Sequence, residues 1–205
     1  MIEVIKPGLL TTVQDQGRWG YQCYGVAVAG AMDLFALAAA NRLVGNPEGA
    51  AGLEMTVLGP TLRFHREAIF ALAGADLGPR LNGEPISNWT CHFAQTGALL
   101  EFAGRKSGIR AYLAICRGID VPPVMGSRAT YLLGRFGGLE GRALKPRDRL
   151  LTAPPAAGDR SFVGRVFPED LRPPYRRNPS LRAAWNFVSR DASWSAHGGG
   201  RRGGA

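Results

Sequence analysis

The sequence predicts a mostly β fold carrying one main helix. Three observations predict it. Short apolar runs broken by glycine fill the first 153 residues, one stretch alone has a clean helical period, and Asn82-Gly83 supplies a hairpin turn.

Taken in order, the first strand is "IEVIK", Ile2–Lys6. The polar, glycine-bounded run 11–22, "TTVQDQGRWGYQ", reads as a loop. The helix is expected over 33–44, within "AGAMDLFALAAANRLVGN": Asp33 stands at the N-cap and Gly45 at the C′ position. On it Leu34, Leu37, Ala38 and Asn41 share one face, with Phe35, Ala39 and Leu43 beside them. So wide an apolar arc predicts burial against a sheet, with the helix closing a barrel end over open strand edges.

Strands follow at 52–59, 61–65 and 68–74. Asn82-Gly83 marks a two-residue turn whose central positions both need positive φ. Further strands are expected at 98–104, 108–116 and 148–152, the last entered from the loop "GLEGRALKPRD". Beyond residue 153 the composition changes. Residues 154–178 read as a proline-rich linker, and 179–205 as a Gly/Arg-rich tail expected to lack fixed structure.

Composition narrows the function classes. With 45% hydrophobic residues a sizeable core is available, and no apolar run approaches the ~18 residues of a membrane span. "MIEVIKPG" has no signal-peptide pattern, so a cytoplasmic location is expected. Cys23, Cys91 and Cys116 are too few and scattered for a disulfide framework or zinc site and read as buried reduced thiols. His65, His92 and His197 form no metal-ligand spacing. The net charge of +9 is uneven: residues 1–150 carry 16 basic against 12 acidic side chains, and 151–205 carry 9 against 4. Part of the excess is thus a tail property, without a nucleic-acid module around it.

Three clusters could carry chemistry. Gln14, Asp15 and Arg18 bring an amide, a carboxylate and a guanidinium to one loop, a spacing that also fits an Asx turn with a surface ion pair. Asp33 opens the helix, where a carboxylate is first of all a cap. Ser127, Arg128 and Thr130, in "GSRAT", offer hydroxyls and a forked cation suited to a carboxylate or phosphate. The sequence has neither a P-loop nor a G-x-S-x-G elbow, so nucleotide binding by this chain alone has no motif behind it.

The segments "PGLLTTVQDQGRWGYQ", "GAMDLFALAAANRLVGN", "LEMTVLGPTLRF", "LAGAD", "RAYLAICRGIDVPPVMGSRATYLLGRFGG" and "GRALKPRD" run in one order through 1–175. Together they closely resemble the biotin-dependent carboxyltransferase / 5-oxoprolinase C-subunit family, also labelled allophanate hydrolase subunit 2. The resemblance implies a cyclophilin-like β-barrel, with 1–153 as the first half of a tandem domain and a cleft between the halves. It implies ATP-driven opening of 5-oxoproline to glutamate, with the A-type and B-type 5-oxoprolinase subunits as partners and ATP used by the complex. Alternatives are carboxyl transfer from carboxybiotin to urea, with biotin as cofactor, or a regulatory protein antagonising a kinase inhibitor.

Within the resemblance, Arg18 and Arg128 are expected to hold an anion, with Ser127 and Thr130 beside them. Asp15 or Asp33 would accept a proton, and Gln14 would orient an amide. Two departures are visible. Cys116-Arg117 stands where small residues, often glycine, are expected. After Tyr175 the chain is expected to leave the family pattern, as a frameshift or truncation would produce, which would leave the cleft half built.

Overall fold

The computed structural model describes residues 1–175. Eleven strands and one α-helix appear there. In chain order they are β1 (Ile2–Lys6), β2 (Leu10–Gln14), α1 (Leu34–Leu43), β3 (Gly52–Thr56), β4 (Thr61–Phe64) and β5 (Ala68–Asp76). Then come β6 (Pro79–Leu81), β7 (Glu84–Pro85), β8 (Thr90–Ala94), β9 (Leu99–Phe102), β10 (Ser107–Ile115) and β11 (Arg149–Leu150). The proposed tail at 179–205, the end of the 154–178 segment and His197 lie outside the described residues.

The strands form two antiparallel sheets. One has the order β11-β1-β4-β9-β6-β7, the other β2-β3-β10-β5-β8. Alternation decides which side chains meet between them. Ile2, Val4, Leu62, Phe64 and Leu100 of the first sheet pack on Val13, Leu53, Met55, Phe70, Leu72 and Leu113 of the second. Phe64 and Phe70 stack across the gap with ring centroids 5.4 Å apart.

The outer face of the second sheet carries a second core. Ile69, Ala71, Ala73, Tyr112, Ala114 and Cys116 face Ala36, Leu37, Ala39, Ala40 and Leu43 of α1. Strand β5 is therefore covered on both sides, which is why "AIFALAGAD" reads as a nearly unbroken apolar run. Alanines on its helix side let α1 lie close.

The helix matches its expected limits and caps. The Asp33 side chain accepts from the Ala36 amide, and Gly45 follows in the left-handed region at φ +74°. It is buried against a sheet, as expected, but at a different place on it. Instead of closing a barrel end, it lies across the face of β5 and β10, and Leu34 and Phe35 are 45% and 39% exposed. The buried stripe is centred on Leu37, Ala40 and Asn41.

Asn82 and Gly83 adopt φ of +53° and +84°, the turn expected between β6 and β7. Two strands escaped the sequence reading. "LTTVQ" is a strand despite its polar side chains, and "TCHFA" forms the edge strand β8. The strand expected over 52–59 ends at Thr56, where Val57 turns to φ +63°. The 154–175 segment is docked rather than free. The Cys91 amide donates to the Arg165 carbonyl at 2.9 Å and the Phe167 amide to the Trp89 carbonyl at 2.9 Å. Phe162, Phe167 and Tyr175 pack on the helix-side core. Cys91 and Cys116 are buried, but Cys23 is exposed, contrary to the expectation of three buried thiols.

Candidate active site

Strand β2 ends at Gln14, and the chain beyond it is held by contacts from far along the sequence. Asp15 is the centre of that hold. One carboxylate oxygen accepts the Gly17 amide at 2.7 Å and the Ser127 hydroxyl at 2.7 Å; the other accepts the Arg128 amide. Asp15 is buried, so the three donors replace the water it loses. Ser127 in turn accepts the Ala129 amide at 3.0 Å.

Arg18 is also buried, at 1% exposure. Its Nη2 donates to the Ala129 carbonyl and its guanidinium lies 4.9 Å from the Phe136 ring centroid. Burial lowers its pKa, against the raising effect of nearby Asp15. Its Nη1 is buried without a hydrogen-bond partner. Thr130 closes the interlock: its amide and hydroxyl both donate to the Val13 carbonyl at 2.9 Å. A Cβ on Gly138, at φ +53°, would collide with that hydroxyl. The Gln14 amide donates to Thr12 Oγ1 at 3.0 Å and to the Thr130 carbonyl at 3.3 Å, leaving its own buried oxygen without a partner.

The turn before α1 is fixed through three successive amides. Ala31 donates to the Asp15 carbonyl at 2.8 Å, Met32 to Glu54 Oε2 at 2.8 Å and Asp33 to the Tyr112 hydroxyl at 2.8 Å. Tyr112 donates onward to Glu54 Oε2 at 2.7 Å, and Arg110 lies 3.3 Å from the other Glu54 oxygen. Glu54 and Tyr112 are directly opposite each other on β3 and β10, on the outer face. Burial, with the Glu54 charge beside it, raises the Tyr112 pKa and keeps the hydroxyl protonated. Asp33 caps the helix through one oxygen at 3.0 Å, and its other oxygen accepts the Tyr175 hydroxyl. Tyr175 is likewise raised by burial and by Asp33.

An open cavity of about 640 Å³ lies at the other end of α1, lined by Asn46, Arg117, Asp120, Arg128 and Thr152 among others. Arg128 is pinned at two points: its amide on Asp15 and its Nε on the Val121 carbonyl at 2.9 Å. Its Nη atoms have no partner among the described residues. Arg117 is instead engaged, its Nε 2.9 Å from Asp159 Oδ2. Its φ of +67° explains why a small residue or glycine suits that position. The buried Asn46 ties the cavity wall to the helix, donating to Asn41 Oδ1 at 3.1 Å and to the Ile115 carbonyl at 2.8 Å.

The structure thus gathers Gln14, Asp15, Arg18, Ser127, Thr130 and the Arg128 main chain into one interlock. It keeps Asp33 apart, at the N-terminal end of α1, and sends the Arg128 guanidinium to the cavity at the other end. Sequence reasoning missed Glu54, Tyr112, Asn46 and Asp120. Glu54 is the one visible signal, an acid between two core residues in "LEM".

This architecture is that of a carboxyltransferase-type domain. The solved urea amidolyase of Kluyveromyces lactis is similar at a TM-score of 0.78 and 38% identity, over 86% of this chain and 11% of that one. The urea carboxylase of the same yeast gives the same TM-score and identity, covering 16% of that chain.

The chain belongs to the family of the carboxyltransferase domain, subdomain A and B, whose model matches residues 24–188. That match continues past Tyr175, where the sequence resemblance was expected to stop. The chain is 44% identical to the 5-oxoprolinase C subunit of Escherichia coli (strain K12) over 151 residues, 73% of this chain and 48% of the relative. It is 40% identical to urea amidolyase of Lachancea kluyveri over 194 residues, 94% of this chain and 10% of the relative. It therefore spans about half the length of the 5-oxoprolinase relative and a tenth of the amidolyase.

Proposed function

We propose that this chain is a C-type component of an ATP-dependent 5-oxoprolinase, acting with A-type and B-type partner subunits. The observation that carries the reading is Arg128. Its amide and Nε are fixed, its Nη atoms have no partner among the described residues, and the residue lines an open cavity of about 640 Å³. A guanidinium so held suits one carboxylate, such as that of 5-oxoproline.

In this reading Arg128 binds the substrate carboxylate, and Asp120, on the same cavity, takes a proton from the attacking water and passes it to the departing ring nitrogen as the lactam opens. The ring C–N bond breaks, the oxygen of water ends in the new carboxylate, and the nitrogen leaves as a protonated amine. Asp15 acts as the clamp for Arg128, since its oxygens already accept three donors. Asp33 serves as the helix cap under Tyr175. ATP supplies activation at the level of the complex. The cavity offers two arginines, one already paired with Asp159, which fits a single carboxylate better than a triphosphate.

The identity to urea amidolyase over 94% of the chain favours a second reading, carboxyl transfer from carboxybiotin to a urea-like acceptor. Reconstitution with the partner subunits separates the two. ATP hydrolysis dependent on 5-oxoproline supports the first. Dependence on urea and a biotinylated carrier, with none on 5-oxoproline, supports the second and removes the first.

A further inference from the structure

We propose that Glu54 and Tyr112 are positioning residues for Arg128, acting through the turn that precedes α1. The inference rests on the anion-binding role of Arg128 proposed above. Its observations lie elsewhere in the molecule, on the outer face of β3 and β10.

The connection is a continuous set of hydrogen bonds. Glu54 Oε2 accepts both the Met32 amide and the Tyr112 hydroxyl, and that hydroxyl accepts the Asp33 amide. The next amide back, Ala31, donates to the Asp15 carbonyl. From Asp15 the carboxylate reaches Ser127 and the Arg128 amide. The turn alone has little to fix it: Ala29 and Gly30 both take positive φ, at +53° and +92°. Three adjacent amides with acceptors on the sheet and on Asp15 give it a fixed place, together with the Arg18 amide on the Val28 carbonyl.

Polarity supports a positioning role. Tyr112 is fully buried and the Glu54 side chain is 12% exposed. At this end of α1 the amides are met by the protein's own carboxylates, Asp33 on the Ala36 amide and Glu54 on the Met32 amide just before the helix. Arg110 lies 3.3 Å from the second Glu54 oxygen and limits its rotation.

The test uses Tyr112→Phe and Glu54→Gln in the reconstituted complex, with hydrogen exchange on the same proteins. Both variants should speed exchange at the Ala31–Asp33 amides and raise the KM for 5-oxoproline about tenfold, the loss of one charge-assisted contact. With Arg128→Ala already in place, neither variant should raise KM further. Additive effects in the double variants would overturn the proposal, because they would show action independent of Arg128. Unchanged exchange at 31–33 would overturn it without any reference to turnover. If the wild-type complex opens no 5-oxoproline, the proposed function fails, and the exchange measurement still decides whether the pair holds the turn.

Discussion

The Asp15 carboxylate accepts the Ser127 hydroxyl at 2.7 Å across 112 residues of chain. This bond, with the Arg128 amide beside it, joins the loop after β2 to the loop that carries the cavity arginine. Asp15→Asn replaces one acceptor oxygen with a donor and leaves a buried amide or hydroxyl unpaired. The expected cost is about 2–3 kcal/mol, against ~1 kcal/mol for Ser127→Ala. Urea unfolding of the two single variants and the double variant checks this, and the double variant should cost less than the sum.

The orientation of α1 gives a contrast within one helix. Leu37 is fully buried, and Leu34 is 45% exposed. Leu37→Ala should destabilise by about 3 kcal/mol, and Leu34→Ala by under ~1 kcal/mol. Equal effects would mean that the helix turns a different face to β5 and β10.

The cysteines should separate cleanly under a thiol reagent. Burial pushes the Cys91 thiol up to about 12 and the Cys116 thiol up to about 11, while Cys23 is exposed. Native protein at about pH 8 should therefore label at Cys23 alone, and all three thiols should react only after denaturation. Rapid native labelling of Cys91 would contradict the docking of the 163–167 segment along β8.

Stability should fall on the acid side through His92. Burial holds its imidazole below the ordinary range, against the smaller raising effect of its hydrogen bond to the Ser87 carbonyl. A folded pKa below the unfolded one means that the unfolded chain binds the proton first. The contribution is therefore complete above about pH 6.5 and shrinks as the pH drops from there toward the folded value. The melting temperature of wild type should drop between about pH 7.5 and about pH 5.5, and His92→Gln should flatten that slope.

Local features were legible in the sequence, and contacts made at long range were not. The Asp33 cap, Gly45 and the Asn82-Gly83 turn depend on their immediate neighbours, and all three stand where local chemistry puts them. Strand β2 was hidden because Thr11, Thr12 and Gln14 are polar; the Pro7 carbonyl accepts the Thr11 hydroxyl, and Thr12 and the Thr130 carbonyl accept the Gln14 amide. Asp15 and Ser127 were both visible as candidates, but nothing local announces that they meet. Glu54 and Tyr112 were harder still, since β3 and β10 become neighbours only in the folded sheet. The helix face was legible in part: Leu37, Ala39, Asn41 and Leu43 are buried as expected, whereas Leu34 and Phe35 are exposed. Asn41 can be wholly buried because the Glu48 and Ala50 carbonyls accept its amide.

The central claim is that Arg128, held by Asp15, binds a substrate carboxylate. The most direct test compares 5-oxoproline with 2-pyrrolidone, the same lactam without its carboxylate, in the reconstituted complex of wild type and Arg128→Ala. The account predicts that the variant raises the KM for 5-oxoproline by about 10- to 100-fold and leaves turnover of 2-pyrrolidone unchanged. An unchanged KM for 5-oxoproline, or an equal loss on both lactams, would contradict it.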